Sequence, residues 1–292
     1  MQVNSLKLFG PRLLLAGSLV LVVVGAALFL RTDDKVETAT PRQIRGYEFV
    51  GRGQLMGAVR RENEALIIRG EVSTARFEGL RRANPGLRFV NYEQAFALNV
   101  SEAGYARDRG WLATTCDGKE IHPANIPNVT LLDATIRTSL VWRTDLIASE
   151  TRRGYDLNYL DTLRSFFPPN FYDELPCDVS DIEWLDASLE TVELVRSKSG
   201  KPVIVNGSGL GSGRSYLEHK EEADRLVASA DGVQIEHFLR SPNEEDEDID
   251  LVEAINAAGK DAYVKCARSR EACRSAFAKA GSLQRNYLHI RR

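Results

Sequence analysis

The sequence predicts an α/β fold: a (β/α)8 TIM barrel preceded by one N-terminal transmembrane helix. Three observations predict it. Short apolar runs alternate with amphipathic stretches across residues 46–292, the pattern of βα units on a parallel sheet. Many of these runs stop on a polar or acidic residue, as the strands of a barrel do where they open onto a functional mouth. Ahead of them, residues 13–30 are almost wholly apolar, broken only by Gly17, Ser18 and Gly25.

The strand-like runs are Leu66–Glu71, Arg88–Glu93, Val129–Ala134, Tyr155–Leu163, Pro202–Asn206, Gly232–Glu236, Ala262–Cys266 and Tyr287–Ile290. Helical patterns lie between them. Ile182, Leu185, Leu189, Val192 and Val195 recur at helical spacing, with Asp178, Ser180 or Asp181 as N-cap and Gly200 as the stop. Residues 219–230 and 248–258 read as two further helices, the latter ended by Gly259. The chain stops soon after the eighth run, which predicts an irregular or incompletely closed C-terminal end.

The rival fold is an open doubly wound sheet, but no G-x-G-x-x-G follows the first run. Gly207, Gly209, Gly211 and Gly213 lack the Gly-Lys-Ser/Thr ending of a phosphate loop, so they read as a substrate-facing βα loop.

At ~1.5 Å per residue the apolar run makes about 27 Å of helix, against roughly 30 Å of bilayer core. Lys7 and Arg12 precede it. A cleaved signal peptide and an uncleaved anchor both fit. Val24-Gly25-Ala26 loosely resembles a cleavage site, yet the apolar run continues past it through Leu30, which favours the anchor. Either way the remainder leaves the cytoplasm. The domain organisation is then 1–31 anchor or signal segment, 32–45 linker around Pro41, and 46–292 barrel domain.

A net charge of −3 argues against a surface built for nucleic acid, and the densest charge run, Glu244 to Asp250, is acidic. The four cysteines, Cys116, Cys177, Cys266 and Cys273, suit either disulfides in an oxidising compartment or reduced thiols. Cys266 and Cys273 are near enough to close a small loop, which would leave Cys116 with Cys177. With no C-x-x-C and only four His, neither a metal nor a cofactor is expected.

The polar run ends are Glu71, Glu93, Asp133, Asp161, Asn206 and Glu236. Acids are costly inside a sheet unless paired or exposed in a cleft. Any one of them alone is equally well a strand end meeting solvent; their repetition argues for a site. Asp161 and Glu236 form the best pair. Glycoside hydrolysis needs one carboxylic acid to protonate the leaving oxygen and one carboxylate to attack the anomeric carbon or activate water. Asp161 is assigned as nucleophile or base and Glu236 as acid. Glu93, Asp133, Asn206, Tyr92, Tyr159 and His237 are candidate substrate-binding residues. Trp111 and Phe238 are further candidates for an aromatic wall, and for Asp133 the role of N-cap to the following helix is favoured over that of a third site acid.

The segments Gly154-Tyr-Asp-Leu-Asn-Tyr-Leu-Asp161, Lys201-Pro-Val-Ile-Val-Asn-Gly207 and Ala230-Asp-Gly-Val-Gln-Ile-Glu-His-Phe238 resemble the glycosyl-hydrolase-like TIM barrels related to the polygalactosaminidase-type glycosidases. Trp111-Leu-Ala-Thr-Thr-Cys-Asp-Gly-Lys-Glu120 and Leu131-Leu-Asp-Ala-Thr135 share the likeness, which runs from about Leu66 to Ala280. The resemblance implies carboxylates at Asp161 and Glu236. It departs at Leu157-Asn158, where the family has a small residue and an apolar one, and at Thr162, where a second Asp is common. The function expected is a membrane-anchored, extracytoplasmic glycoside hydrolase acting on a polysaccharide or oligosaccharide. The alternative is a non-catalytic carbohydrate-binding barrel at the cell surface.

Overall fold

A computed structural model describes residues 45–59, 63–124, 126, 128–163, 166–167, 171–172, 174–280 and 286–289. The expected anchor, residues 1–31, and all but the last residue of the expected linker lie outside these. Among the described residues no helix is long and apolar enough to cross a membrane.

The described strands, in chain order, are β1 (Arg45–Gly51), β2 (Ala65–Arg69), β3 (Arg88–Gln94), β4 (Ala97–Leu98), β5 (Thr130–Leu131), β6 (Leu157–Leu163), β7 (Val203–Gly207), β8 (Gly232–Phe238), β9 (Asp261–Cys266) and β10 (Asn286–His289). The helices are α1 (Leu55–Val59), α2 (Thr74–Ala83), α3 (Val100–Arg107), α4 (Arg137–Thr151), α5 (Asp181–Ser199), α6 (Gly213–Glu218), α7 (Lys220–Ser229), α8 (Glu245–Ala257) and α9 (Arg270–Lys279). Eight strands close into a barrel in the order β1-β10-β9-β8-β7-β6-β3-β2, and every pair is parallel. Helices follow the strands around it, the arrangement of a (β/α)8 TIM barrel.

Two expectations about the strands are corrected. Closure is complete: Arg45 pairs with Tyr287 and Tyr47 with His289. And the run at Val129–Ala134 supplies no barrel strand. It forms β5, which pairs antiparallel with β4 beside the barrel. The eighth stave is supplied instead by β1, whose Tyr47, Phe49 and Val50 lie next to the polar linker.

Alternation along each strand sorts side chains into two layers. Tyr47, Ile67, Val90, Leu157, Tyr159, Ile204, Tyr263 and Tyr287 fill the barrel. Val50, Leu66, Ile68 and Phe89 face the helices on one side. Leu160, Val203, Val205, Val233, Ile235 and Val264 do so around the rest. The interior is thus largely aromatic, with the Tyr263 and Tyr287 rings stacked 4.4 Å apart.

The departure at Leu157-Asn158 follows this alternation. Leu157 points inward. Asn158 is fully buried and is bonded to Thr151 at the end of α4 and to Ser199, at 3.1 Å, at the end of α5. Asn91 of β3 donates to the same Thr151 hydroxyl at 3.1 Å. A buried amide is tolerated there because its polar atoms are satisfied.

The helix expected around Asp181–Lys198 is α5. Ser180 caps it, exchanging bonds with Glu183, and Gly200 ends it at φ 67°, a left-handed turn that glycine adopts freely. Disulfides join Cys116 to Cys177 and Cys266 to Cys273.

Candidate active site

Inward-facing positions near the C-terminal ends of the strands form the mouth. These positions bring together Phe49 (β1), Arg69 (β2), Tyr92 (β3), Asp161 (β6), Asn206 (β7), Glu236 (β8), Lys265 (β9) and His289 (β10). They line two lobes of one cleft that share Arg69, Asp161, Asn206 and Glu236. The inner lobe, about 310 Å³, has Phe49, Tyr159, Lys265 and His289 in its walls. The outer lobe, about 440 Å³, is bounded by Tyr92, His237, Phe166, Phe171 and the glycine loop Gly207–Gly211.

Asp161 sits among donors. The Tyr92 hydroxyl donates to its Oδ2, Asn206 Nδ2 donates to Oδ1 at 2.9 Å, and the Thr162 N–H donates to Oδ1 at 2.9 Å. Thr162 adopts φ 64°, a strained setting for a β-branched residue, and the β6–β7 register shifts at this point. Thr162 therefore shapes the turn that presents its N–H to Asp161. Burial pushes the Asp161 carboxyl above its usual range, the Tyr92 hydroxyl pulls it back, and the charge of Glu236 adds to the rise.

Glu236 is set differently. Burial raises its pKa, but the Lys265 ammonium, donating to Oε1 at 2.7 Å, outweighs it and holds the carboxyl below its usual range. The amide of Asn206 contributes in the same direction. Asn206 thus acts on both acids. The two carboxyls are displaced in opposite directions, Asp161 upward by burial and Glu236 downward by Lys265.

The other candidate residues divide. Tyr92 lines the outer lobe and stacks on Tyr159, ring centroids 5.3 Å apart. Tyr159 forms part of the inner floor, and its hydroxyl is committed to Gln234 Oε1. His237 faces the outer lobe, its backbone N–H bonded to Gly211 O at 2.8 Å.

Glu93 is not in the cleft. It follows the inward Tyr92 on β3, so it points out to α4, 3.2 Å from Arg143. Asp133 is also elsewhere: its Oδ1 accepts from Thr135 N at 2.9 Å and Thr135 Oγ1 at 2.6 Å. That closes a local turn, and the N-cap of α4 is Ile136, so Asp133 caps no helix. Trp111 packs with Tyr105 and Trp142, and Phe238 is buried against Phe277. Glu71 is exposed near Arg153. Among the described residues no group of three or more His, Cys, Asp or Glu is gathered as a metal would require.

Arg69 and Lys265 were missed by reading the sequence for acids. Alternation carried the signal: Ala65, Ile67, Arg69 and Tyr263, Lys265 each share the inward face of their strand.

No protein-family model matches the chain, and no curated protein matches it. Among solved structures it is similar to the glycoside hydrolase domain of PelA from Pseudomonas aeruginosa, at 16% identity over 84% of this chain and 93% of that one, TM-score 0.54. Aspergillus fumigatus Ega3, solved in complex with galactosamine, is 12% identical over 84% of this chain and 91% of its own, TM-score 0.53. The α-galactosidase TtGalA from Thermus thermophilus, in complex with stachyose, is 14% identical over 86% and 62%, TM-score 0.53. At these identities the likeness is one of fold: the chain has the TIM barrel found in solved glycoside hydrolases.

Proposed function

We propose that the protein is a glycoside hydrolase that cleaves a polysaccharide by a two-carboxylate mechanism. The observation that carries the reading is the meeting of Asp161 and Glu236, from the ends of β6 and β8, in one open cleft with Asn206 between their strands. Two carboxylates facing one cleft are what glycoside hydrolysis requires. Glycoside hydrolase barrels among the structural neighbours support a carbohydrate substrate.

Asp161 acts as nucleophile or base. Three donors converge on its two oxygens, an arrangement suited to an acceptor-only carboxylate and not to a carboxylic acid. Glu236 acts as the acid. It takes up its proton against the Lys265 contact, which lowers its pKa. Asn206 holds the two acids in register. Tyr92 and His237 face the outer lobe, where further sugar units would lie.

The protein works outside the cytoplasm, tethered by residues 1–31. Support comes from the apolar run at residues 13–30 and from two disulfides, which persist in oxidising compartments.

One observation favours the second reading, a non-catalytic glycan-binding barrel: the Lys265 contact keeps Glu236 ionised, which is the wrong state for an acid at rest. Reducing-end release from a panel of polysaccharides separates the two. On the enzyme reading the wild type cleaves one of them, and Asp161→Asn and Glu236→Gln lose turnover while still binding. A wild type that binds without cleaving leaves the binding reading, and an Asp161→Asn variant as fast as wild type sinks the role of Asp161.

A further inference from the structure

The geometry points to a subsite for an anionic sugar unit, with Arg69 as its specificity-determining residue; the inference rests on the glycan cleft proposed above and names its substrate class. Arg69 ends β2 and lines both lobes. Its guanidinium lies 4.4 Å from the Tyr92 ring centroid and 5.7 Å from that of Phe49. Cation–π contact holds the fork in place without using its N–H donors. Among the described residues no carboxylate lies within ion-pair distance of Arg69, although its charge acts on Asp161. A guanidinium seated on two rings, with no ion pair or side-chain hydrogen bond among the described residues, at the edge of a sugar-sized lobe suits bidentate binding of a carboxylate or sulfate oxygen pair.

The charge of the surroundings agrees. Lys265 offsets Glu236, and Arg69 offsets Asp161, so the cleft does not repel an anion. Beyond Gly51 of the inner lobe, the chain continues into a further cavity of about 430 Å³ lined by Arg52, Leu55, Val72, Ser73 and Arg76. Among the described residues neither of its arginines is within ion-pair distance of an acid. Arg52 and Arg76 thus add positive charge on the elements that follow β1 and β2.

The test uses the full chain carrying Glu236→Gln, so that binding is read without turnover. Four probes are titrated at fixed pH and low salt: a homo-oligouronate, the same oligomer with its carboxyls reduced, a sulfated neutral oligosaccharide, and an amino-sugar oligomer. The uronate or the sulfated oligomer should bind about ten- to a hundredfold more tightly than the carboxyl-reduced one, the range of one charge-assisted pair. Preference between the two identifies the anion. Adding Arg69→Met should erase the difference, and Arg69→Lys should keep part of it. Equal binding of charged and reduced oligomers, or preference for the amino sugar, overturns the inference while leaving a glycan cleft intact. No binding of any probe overturns both. Anion preference without wild-type turnover sinks the hydrolase reading alone.

Discussion

Lys265 Nζ donates to Glu236 Oε1 at 2.7 Å, on neighbouring strands of the mouth. The pair decides how readily Glu236 takes a proton. Burial alone would raise its pKa, and Lys265 reverses the sign. Replacing Lys265 with Met removes the cation and leaves burial in charge, so the carboxyl titrates higher. A general acid must be protonated to work, so its pKa sets the alkaline limb of the rate profile. Lys265→Met should move that limb to higher pH in kcat/KM measured across a pH series. An unmoved alkaline limb would show that Glu236 is not the acid.

Tyr92 gives the complementary test at Asp161. Its hydroxyl lowers the Asp161 pKa against burial. Tyr92→Phe removes the donor but keeps the ring against Tyr159 and Phe49. The Asp161 pKa then rises further. An attacking carboxylate must be ionised, so the acid limb should move to higher pH. A hydrogen bond to a charged group contributes about 1.5–3 kcal/mol, so kcat should fall about ten- to a hundredfold. Loss of activity with unchanged limbs would point to a substrate contact instead.

How far the sequence carried the site is visible on β3. Reading acids at run ends found Asp161 and Glu236, because both fall on inward positions. The same rule picked Glu93, one residue past the inward Tyr92, and a one-residue step in a strand reverses the face. Asp133 failed for another reason: its run is an antiparallel pair beside the barrel, and β-type composition does not reveal a partner strand. β1 was missed because Arg45, Gly46 and Glu48 break its apolar pattern, and only its pairing with β10 and β2 makes it a stave.

Glu93 has a structural task that can be measured. The Arg143 side chain is only 4% exposed and holds Glu93 at 3.2 Å and Glu102 at 2.7 Å, as well as the carbonyl of Gln94. Burial raises the Glu93 pKa even with Arg143 beside it. Arg143→Met would leave two acids without their cation, at a cost of about 3–5 kcal/mol. Urea unfolding should show it, and adding Glu93→Gln should recover part of the loss. Glu93→Gln alone should leave turnover unchanged, since the residue faces α4; a large drop in kcat would return it to the cleft.

The Cys116–Cys177 bridge closes a loop with a sequence separation of 61. Constraining an unfolded loop contributes about 2–4 kcal/mol in typical cases. Replacing both cysteines with Ala should lower the urea midpoint accordingly, and reductant should destabilise the wild type in the same way while leaving the double variant unaffected. If reductant has no effect on the wild type, the bridge does not form in solution.

Gly213 starts α6 against α8 with no room for a side chain. A Cβ there would lie 2.0 Å from the carbonyl carbon of Glu247 and 2.2 Å from Asp248 N. Both neighbours are backbone, so no rotamer can yield. The close approach lets Gly213 N–H donate to Asp248 Oδ1 at 2.6 Å, while Leu239 N–H donates to Oδ2 at 2.6 Å. Asp248 is buried and depends on both donors. Gly213→Ala must push α6 off α8 and loosen that clamp, which anchors the glycine loop lining the outer lobe. Overpacking of this kind costs about 1–3 kcal/mol, and each kcal/mol lowers Tm by about 2–4 °C in a domain of this size. The same shift should raise KM for a long oligosaccharide more than for a short one, because only the long one reaches the outer lobe. A lowered Tm with equal KM changes for both lengths would separate the clamp from the subsite.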